Sequence, residues 1–207
     1  WGESNEHGFK AAWKAAGIEP AGIEKFEGND VDVVPQLTRL KAAGADTLFL
    51  VGNVGPGSQV VKSLDRMSWM PPIVSHWGVA GGRFTELAGP SAKNVIFVQT
   101  YSFFGDLPPV GKKVLSALEK KYSDIKGPAD ITPAVGVANA YDTVMVIAAA
   151  ITKAGKTDGT ALRDAFYNIE NVEGLIKTYN KPFTKTNHDA LSHEDYIWTH
   201  FYGDHIL

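Results

Sequence analysis

The chain opens with a helical segment that has no strand in front of it, and strands then alternate with helices. Helices are predicted at residues 5–16, 33–43, 56–67 and 83–88. Strands are predicted at residues 21–26, 47–51, 72–75 and 95–100. This alternation predicts an α/β fold with a parallel sheet flanked by helices, because parallel strands need long crossover connections. A ligand of such a sheet lies in the crevice beyond the carboxyl ends of the strands.

Residue choices at the ends of these elements fit the same pattern. Gly17 and Gly44 follow the first two helices, where a left-handed cap ends a helix. Pro56 fits the first turn of the third helix, where its missing N–H costs nothing. Residues 47–51 (TLFLV) are apolar on both faces, which is typical of a central parallel strand covered by helices. The helix that begins near Trp1 without its own strand predicts a missing strand, and more, upstream.

The alternation stops at residues 104–109 (FGDLPP), which we interpret as a linker. Helices are predicted next at residues 110–122, 133–154 and 158–169, with no strand between them. Their apolar faces favour helices that cover a sheet, and the sequence holds no sheet for them. These faces include Val114, Leu115, Leu118, Val137, Val144, Ile147 and Ile151.

The most apolar stretch, residues 135–150, is interrupted by Asn139 and Asp142. It is predicted to be a buried helix, too short and too polar to span a bilayer. Residues 175–179 are predicted to be extended, and residues 196–202 alternate with period two, as in a half-exposed strand.

Charge and cysteine content exclude several classes of function. The net charge of -3 gives no electrostatic case for nucleic acid or an anionic membrane. The absence of cysteine excludes disulfides, thiolate catalysis and cysteine-based zinc sites, and is compatible with the cytosol or an oxidising compartment. The spacing of His188 and His193 fits no zinc motif, and no G-x-S-x-G elbow is present. Neither a metal site nor a hydrolase is predicted.

Asn53 lies in a glycine-rich loop, residues 52–57, directly after the second predicted strand. Its amide can donate to and accept from a polar ligand, or it can simply adopt a tight turn. The glycines read G-x-x-G-x-G and not G-x-G-x-x-G, which argues against a nucleotide cofactor. The backbone N–H groups at the following helix start can still face an anion such as a carboxylate.

Several segments, in their order along the chain, resemble one known family. They are WGES at residues 1–4, QLTRLKAAGAD at 36–46, FTELAG at 84–89, VIFVQT at 95–100, ANAYDTV at 138–144 and NHDAL at 187–191. Together they resemble the periplasmic solute-binding proteins of branched-chain amino acid ABC transporters, which have the type I periplasmic binding fold. The resemblance covers nearly the whole chain.

The resemblance implies two α/β lobes joined by a hinge, with the ligand held between them. Residues 1–103 and 170–207 would form the second lobe, and residues 104–169 would be helices crossing back to an otherwise absent first lobe. The chain would then be the C-terminal portion of a longer protein outside the cytoplasmic membrane. The implied partners are a small ligand, a membrane permease and the missing N-terminal portion, with no cofactor and no nucleic acid.

The resemblance also implies the ligand-binding residues. Trp1 fits an aromatic position at the start of the first helix, and could instead pack on its own lobe. Trp77 stands where amino acid binders carry an acid that pairs with the ligand ammonium, and could instead be buried against Phe84. His76 can donate to a carboxylate or be an ordinary surface histidine, and Tyr101 is a further cleft candidate.

These residues favour binding without chemistry. An aromatic surface with few polar groups is typical of a small-molecule site. Because an indole cannot form an ion pair, the ligand is expected to be amino acid-like or an aromatic or amine-free carboxylic acid. A ligand sensor of the same fold is the alternative, and an α/β enzyme is disfavoured because no convincing nucleophile, base or phosphate loop is present.

Overall fold

The computed structural model describes residues 2–203, 205 and 206, and the chain divides into two compact units. The first unit comprises residues 1–98 and 198–207, and the second comprises residues 99–197. By packing, residues 170–197 therefore group with the helices of the second unit. The predicted lobes concern a longer protein, and that assignment stays a prediction.

The described residues form seven α-helices and seven strands. The helices are α1 (Gly2–Ala16), α2 (Val34–Ala42), α3 (Val54–Arg66), α4 (Phe84–Ala88), α5 (Pro109–Lys121), α6 (Ala134–Ala154) and α7 (Gly159–Phe166). The strands are β1 (Leu48–Leu50), β2 (Ile73–Ser75), β3 (Val95–Gln99), β4 (Val172–Glu173), β5 (Thr178–Tyr179), β6 (Ile197–Tyr202) and β7 (His205–Ile206).

In the described part of the first unit, five strands form one sheet in the order β1-β2-β3-β6-β7. β1 pairs in parallel with β2, and β2 pairs in parallel with β3. β6 and β7 are antiparallel. Helix α3 connects β1 to β2 as a crossover, and α4 precedes β3. The predicted α/β fold with helices around a parallel sheet is confirmed.

One face of this sheet packs against α3 and α4 to form the core of the first unit. Phe97 and Phe201 from the neighbouring strands β3 and β6 have their ring centroids 4.8 Å apart, and Phe84 of α4 stacks on Phe201 at 4.9 Å. Val61 and Leu64 of α3 are fully buried in the same cluster. Each large apolar side chain buried in this way stabilises the unit by about 1.5–3 kcal/mol.

The opposite face of the sheet is covered only in part. Phe9 and Trp13 of α1 pack against Phe49 of β1, with ring centroids 5.3 and 5.6 Å away. Ile96 and Trp198, on the same face, are exposed. β1 is an edge strand of the described sheet, so the expectation of a central strand covered on both faces is wrong for the described residues.

The predicted strand at residues 21–26 is also wrong, because the segment joins no sheet in the described part of the chain. Side chains of α2 hold it instead. Arg39 forms a two-pronged ion pair with Glu24 at 2.7 and 2.8 Å, and the Gln36 amide donates to the Lys25 carbonyl. Residues that favour an extended backbone form a strand only where a neighbouring strand supplies hydrogen-bond partners.

The second unit is built around the long helix α6. Helix α7 and strand β4 pack against it, and β4 pairs with β5 as an antiparallel hairpin, with Val172 opposite Tyr179. Ala138, Val146 and Ala150 of α6 are buried in the clusters formed with these elements and with α5. The three predicted helices of this region are present.

Among the described residues, α6 is long and apolar enough to cross a membrane by length and composition alone, with a mean hydropathy of 1.6. The expectation that this stretch is too short is therefore wrong, because the helix spans 21 residues. The prediction of a buried helix holds only for one side of α6, because about a third of its apolar window (33%) is buried. Asp142, on this side, is buried among hydrogen-bond donors of the same unit. A stripe on its outer side, Val144, Ile147 and Ile151, is exposed.

Candidate functional site

The loops that follow β1 and β2 leave the sheet at the same edge. Leu50 is in register with Ser75, so the two strands end side by side. The Ser75 hydroxyl donates to the Leu50 carbonyl at 2.8 Å and ties these ends together. We call residues 52–57 and 76–79 the crevice edge, because ligands of parallel sheets lie beyond the carboxyl ends of the strands.

Gly78 lets the two loops of the crevice edge approach each other. A Cβ at this position would lie 3.0 Å from Asn53 Oδ1, 3.0 Å from the Gly52 carbonyl and 2.3 Å from His76 Cε1. Only glycine fits there without displacing its neighbours. The structure thus brings together Asn53 and His76, two of the predicted site residues, around a glycine that sequence reasoning missed.

His76 caps the short 3₁₀ turn Trp77–Val79. Its Nδ1 accepts a hydrogen bond from the Gly78 amide at 2.9 Å. Burial lowers the pKa of the ring, so His76 is neutral at pH 7 and carries its proton on Nε2. His76 thus stabilises the 3₁₀ turn. Donation to a ligand carboxylate stays a prediction.

Asn53 is the N-cap residue of α3, but its side chain makes no capping hydrogen bond. Its carbonyl accepts from the Gly57 amide at 2.8 Å, which starts the helix, while the exposed side-chain amide lies beside Gly78. The first turn of α3 holds no acidic residue. The partial positive charge of this helix end is therefore not offset locally by a carboxylate.

Trp77 is 40% exposed, so it is not the buried core residue that the alternative interpretation required. Phe84 stacks on Phe201, with ring centroids 4.9 Å apart. Trp77 presents indole surface on the same turn as His76 and Gly78. Its role in ligand binding stays a prediction.

Two predicted residues, Trp1 and Tyr101, remain. Trp1 is outside the described residues. Tyr101 belongs to the second unit, where its ring meets Phe103 edge-on at 5.0 Å and only 8% of the residue is exposed. Burial and then the charge of Asp142 raise the pKa of Tyr101. In the described part of the chain, its hydroxyl is buried without a hydrogen-bond partner, and a ligand role stays a prediction.

The crevice edge supplies neutral polar groups and apolar surface. Its ten residues, GNVGPG and HWGV, include no Asp, Glu, Lys or Arg. Among residues 2–203, 205 and 206, no group of three or more His, Asp or Glu side chains could hold a metal ion. These groups can bind a small molecule through an amide, backbone N–H groups and an indole.

The second unit has a separate cavity of about 580 Å³ between α5, α6 and β4. Met145, Val110 and Val172 line its apolar part. Lys113 and two carboxylates stand at its walls, and one of these, Glu170, is paired with Lys181 at 2.9 Å. None of the predicted site residues lines it.

Comparison with known proteins places this architecture in one family. Residues 1–197 match the family described as periplasmic binding protein. The chain belongs to the periplasmic binding protein family. A solved relative, a periplasmic binding protein type 1 from Bordetella pertussis Tohama I, superposes with a TM-score of 0.81 at 21% identity, over 95% of this chain and 55% of that one.

Two curated relatives are each 25% identical to this periplasmic binding protein chain over the aligned residues. The "Leu/Ile/Val-binding protein homolog 3" of Brucella melitensis is 25% identical over 179 residues, which is 86% of this chain and 46% of the relative. The "Leucine-, isoleucine-, valine-, threonine-, and alanine-binding protein" of Pseudomonas aeruginosa is 25% identical over 80% of this chain and 42% of its own length. The chain therefore spans about half the length of the curated relatives it matches.

Proposed function

We propose that this chain is part of an extracytoplasmic solute-binding protein that captures a small organic solute and delivers it to an ABC permease. Lobe closure around the ligand would signal occupancy to the permease, because a ligand that touches both lobes stabilises the closed state. Family membership supports a binding role, and the relatives are named for the amino acids they bind.

The observation that carries this proposal is the composition of the crevice edge. An exposed indole, an uncommitted amide and a helix N-terminus lie on two adjacent loops at the carboxyl ends of parallel strands. These groups recognise a ligand and offer no nucleophile–base pair. Binding without turnover is the function that this chemistry supports best.

The ligand class follows from the charges available. A carboxylate fits the N–H groups at the start of α3 and the Asn53 amide. The apolar part of the ligand fits Trp77, while residues 52–57 and 76–79 hold no carboxylate to pair with an ammonium group. We favour an apolar or aromatic acid without an amine, and an amino acid of the kind named for the relatives is the competing ligand.

Matched ligand pairs separate these two classes in the complete protein. Leucine against isocaproate, and phenylalanine against phenylpropanoate, differ only by the ammonium group. In a thermal-shift screen we expect the two amine-free acids to raise Tm more than their amino acid partners. A larger shift with leucine or phenylalanine would overturn the ligand class and leave the binding role intact.

A variant pair tests the position of the site. Trp77→Ala should weaken binding of the best ligand by about tenfold or more, because a buried aromatic contact contributes roughly 1.5 kcal/mol or more. Trp198→Ala removes an exposed indole from the sheet face of the same unit and should leave affinity unchanged. Titration calorimetry checks both, and equal losses would place the ligand away from the crevice edge.

We further propose that residues 104–169 cover the sheet of a first lobe that the longer protein supplies. The exposed stripe on α6 supports this: Val144 is 63% exposed, and Ile147 and Ile151 are also exposed. Soluble proteins rarely leave such a contiguous apolar strip uncovered. Native mass spectrometry of the natural protein would report its full mass together with any retained solute.

A substitution on the exposed stripe of α6 tests whether this stripe packs against a first lobe. In the longer protein, Val144→Glu should lower stability by about 2 kcal/mol, since it would bury an unpaired charge. Thr143→Glu, at an exposed neighbour on the same helix, should change stability by less than about 0.5 kcal/mol. Equal effects of the two variants would show that the stripe faces solvent.

A further inference from the structure

Asp142 is a buried carboxylate in the middle of the apolar helix α6, with only 3% of the residue exposed. Its Oδ1 accepts a hydrogen bond from the Leu175 amide. Its Oδ2 accepts from the Ile176 amide at 3.0 Å and from the Tyr179 hydroxyl at 2.7 Å. One side chain thus meets three donors that come from a stretch of five residues.

All three of these partners donate, so the carboxylate acts only as an acceptor. Two successive backbone N–H groups that point to one place form a concave anion nest, and hydrogen bonds to a charged acceptor are stronger than those to a neutral one. Burial and the contact with Asp142 raise the pKa of Tyr179, so its hydroxyl keeps the proton that it donates.

Gly174 lies directly against the same carboxylate, with no room for a Cβ. A Cβ at this position would lie 2.6 Å from Asp142 Cγ and 2.6–2.7 Å from its two oxygens. The nearby cation, Lys177, is engaged with Asp195 at 2.5 Å. Among the described residues, Asp142 is therefore held by the donors of the hairpin and by no ion pair.

We propose that residues 174–179 form an anion-binding nest whose resident anion is Asp142, and that this internal anion latches the β4–β5 hairpin to α6. The nest is specific for a carboxylate. When Asp142 is shortened, the nest takes up a small carboxylate such as formate or acetate from solution. The inference is independent of the ligand bound at the crevice edge.

Chemical rescue tests the nest in the complete protein. Asp142→Ala leaves three buried donors without an acceptor and should lower Tm by roughly 5–10 °C. Formate should recover a substantial part of that loss in Asp142→Ala, while chloride at equal ionic strength should not. Wild type and Asp142→Asn, in which the site stays filled, serve as controls and should not respond to formate beyond the chloride effect.

Hydrogen exchange keeps the proposal testable if Asp142→Ala does not fold. In the wild-type protein the amides of Leu175 and Ile176 should be strongly protected, and Gly174→Ala should remove most of this protection. Gly159→Ala, at a site with no atom within 4 Å of the added Cβ, should leave both amides protected. Recovery by chloride equal to that by formate, or fast exchange of both amides in the wild type, would overturn the nest.

Discussion

Gly78 and Gly174 both lie against polar side chains, and the two glycines differ in what surrounds them. At Gly78 the neighbours are Asn53, which is exposed, and His76, which is half-buried and neutral. At Gly174 the neighbour is Asp142, which is buried and carries its charge among three donors. At the crevice edge the Asn53 side chain is thus exposed to solvent, whereas the Asp142 carboxylate is satisfied within the chain.

The difference teaches where the structure tolerates change. An exposed side chain such as that of Asn53 regains water when it is displaced. A buried carboxylate cannot reach water, so each lost donor leaves an uncompensated polar group in the interior.

The largest expected effect is a difference in stability between the alanine variants of the two glycines. Gly174→Ala should destabilise the protein by about 3 kcal/mol, because the new methyl group displaces a buried carboxylate from its donors. Gly78→Ala should cost only about 1–2 kcal/mol, since the Asn53 side chain can move into solvent. Chemical denaturation of both variants gives the two values.

Gly159→Ala is the control for these glycines, because open space surrounds its added Cβ. Its stability should stay within about 0.5 kcal/mol of the wild type. A Gly78→Ala loss as large as that of Gly174→Ala would contradict the view that the crevice edge can relax.

A tyrosine pair sharpens the same comparison inside the second unit. Tyr179→Phe should cost about 1.5–3 kcal/mol, because the Tyr179 hydroxyl donates to a charged carboxylate. Tyr101→Phe removes a buried hydroxyl with no described partner, and its stability should be unchanged or higher by up to about 1 kcal/mol. Destabilisation by Tyr101→Phe similar to that of Tyr179→Phe would show that the Tyr101 hydroxyl has a polar partner in the complete protein.

The smallest effect is a pH dependence at the crevice edge. Burial lowers the folded-state pKa of His76 below its ordinary value of 6.5. The unfolded chain therefore binds a proton first, and the His76 contribution to stability should decline as the pH falls from 6.5 toward the folded-state pKa.

His76→Asn is the matched variant, because its side-chain oxygen can accept from the Gly78 amide in place of Nδ1. The free energy of unfolding of His76→Asn should no longer show this part of the pH dependence. The 3₁₀ turn should be retained in the variant. An NMR titration of the wild type that gives a His76 pKa at or above 6.5 would refute the buried, neutral state.

Local chemistry made much of the fold predictable. Gly17 and Gly44 adopt the positive φ angles, 67° and 85°, that their positions after two helices required. The alternation in residues 196–202 appears as β6, in which Thr199 and Phe201 are buried and Trp198 and Tyr202 are exposed. These features depend on residues close in sequence, where one side-chain pattern has few structural solutions.

The candidate site was predictable only in part, because its geometry depends on distant residues. Asn53 was recognisable as the residue after a strand, whereas Gly78 carried no signal beyond its place in a short turn. Asp142 was visible as a lone acid in an apolar helix, but its donors lie 33–37 residues later in the chain. Spacing of that length has no periodicity from which a contact can be inferred.

The sequence by itself determined most of the helices and sheet strands, their order and the neutral chemistry of residues 52–57 and 76–79, because these follow from local patterns of apolar residues, glycine and proline. Tertiary structure alone decided that β6 lies beside β3, where the Thr199 hydroxyl donates to the Phe97 carbonyl across 102 residues. It also decided that residues 21–26 stay unpaired and that Asp142 finds its donors in the hairpin. The physical reason is the same in each case: backbone and charged groups take the partners that the packed chain brings within hydrogen-bond distance, and those partners are not neighbours in sequence.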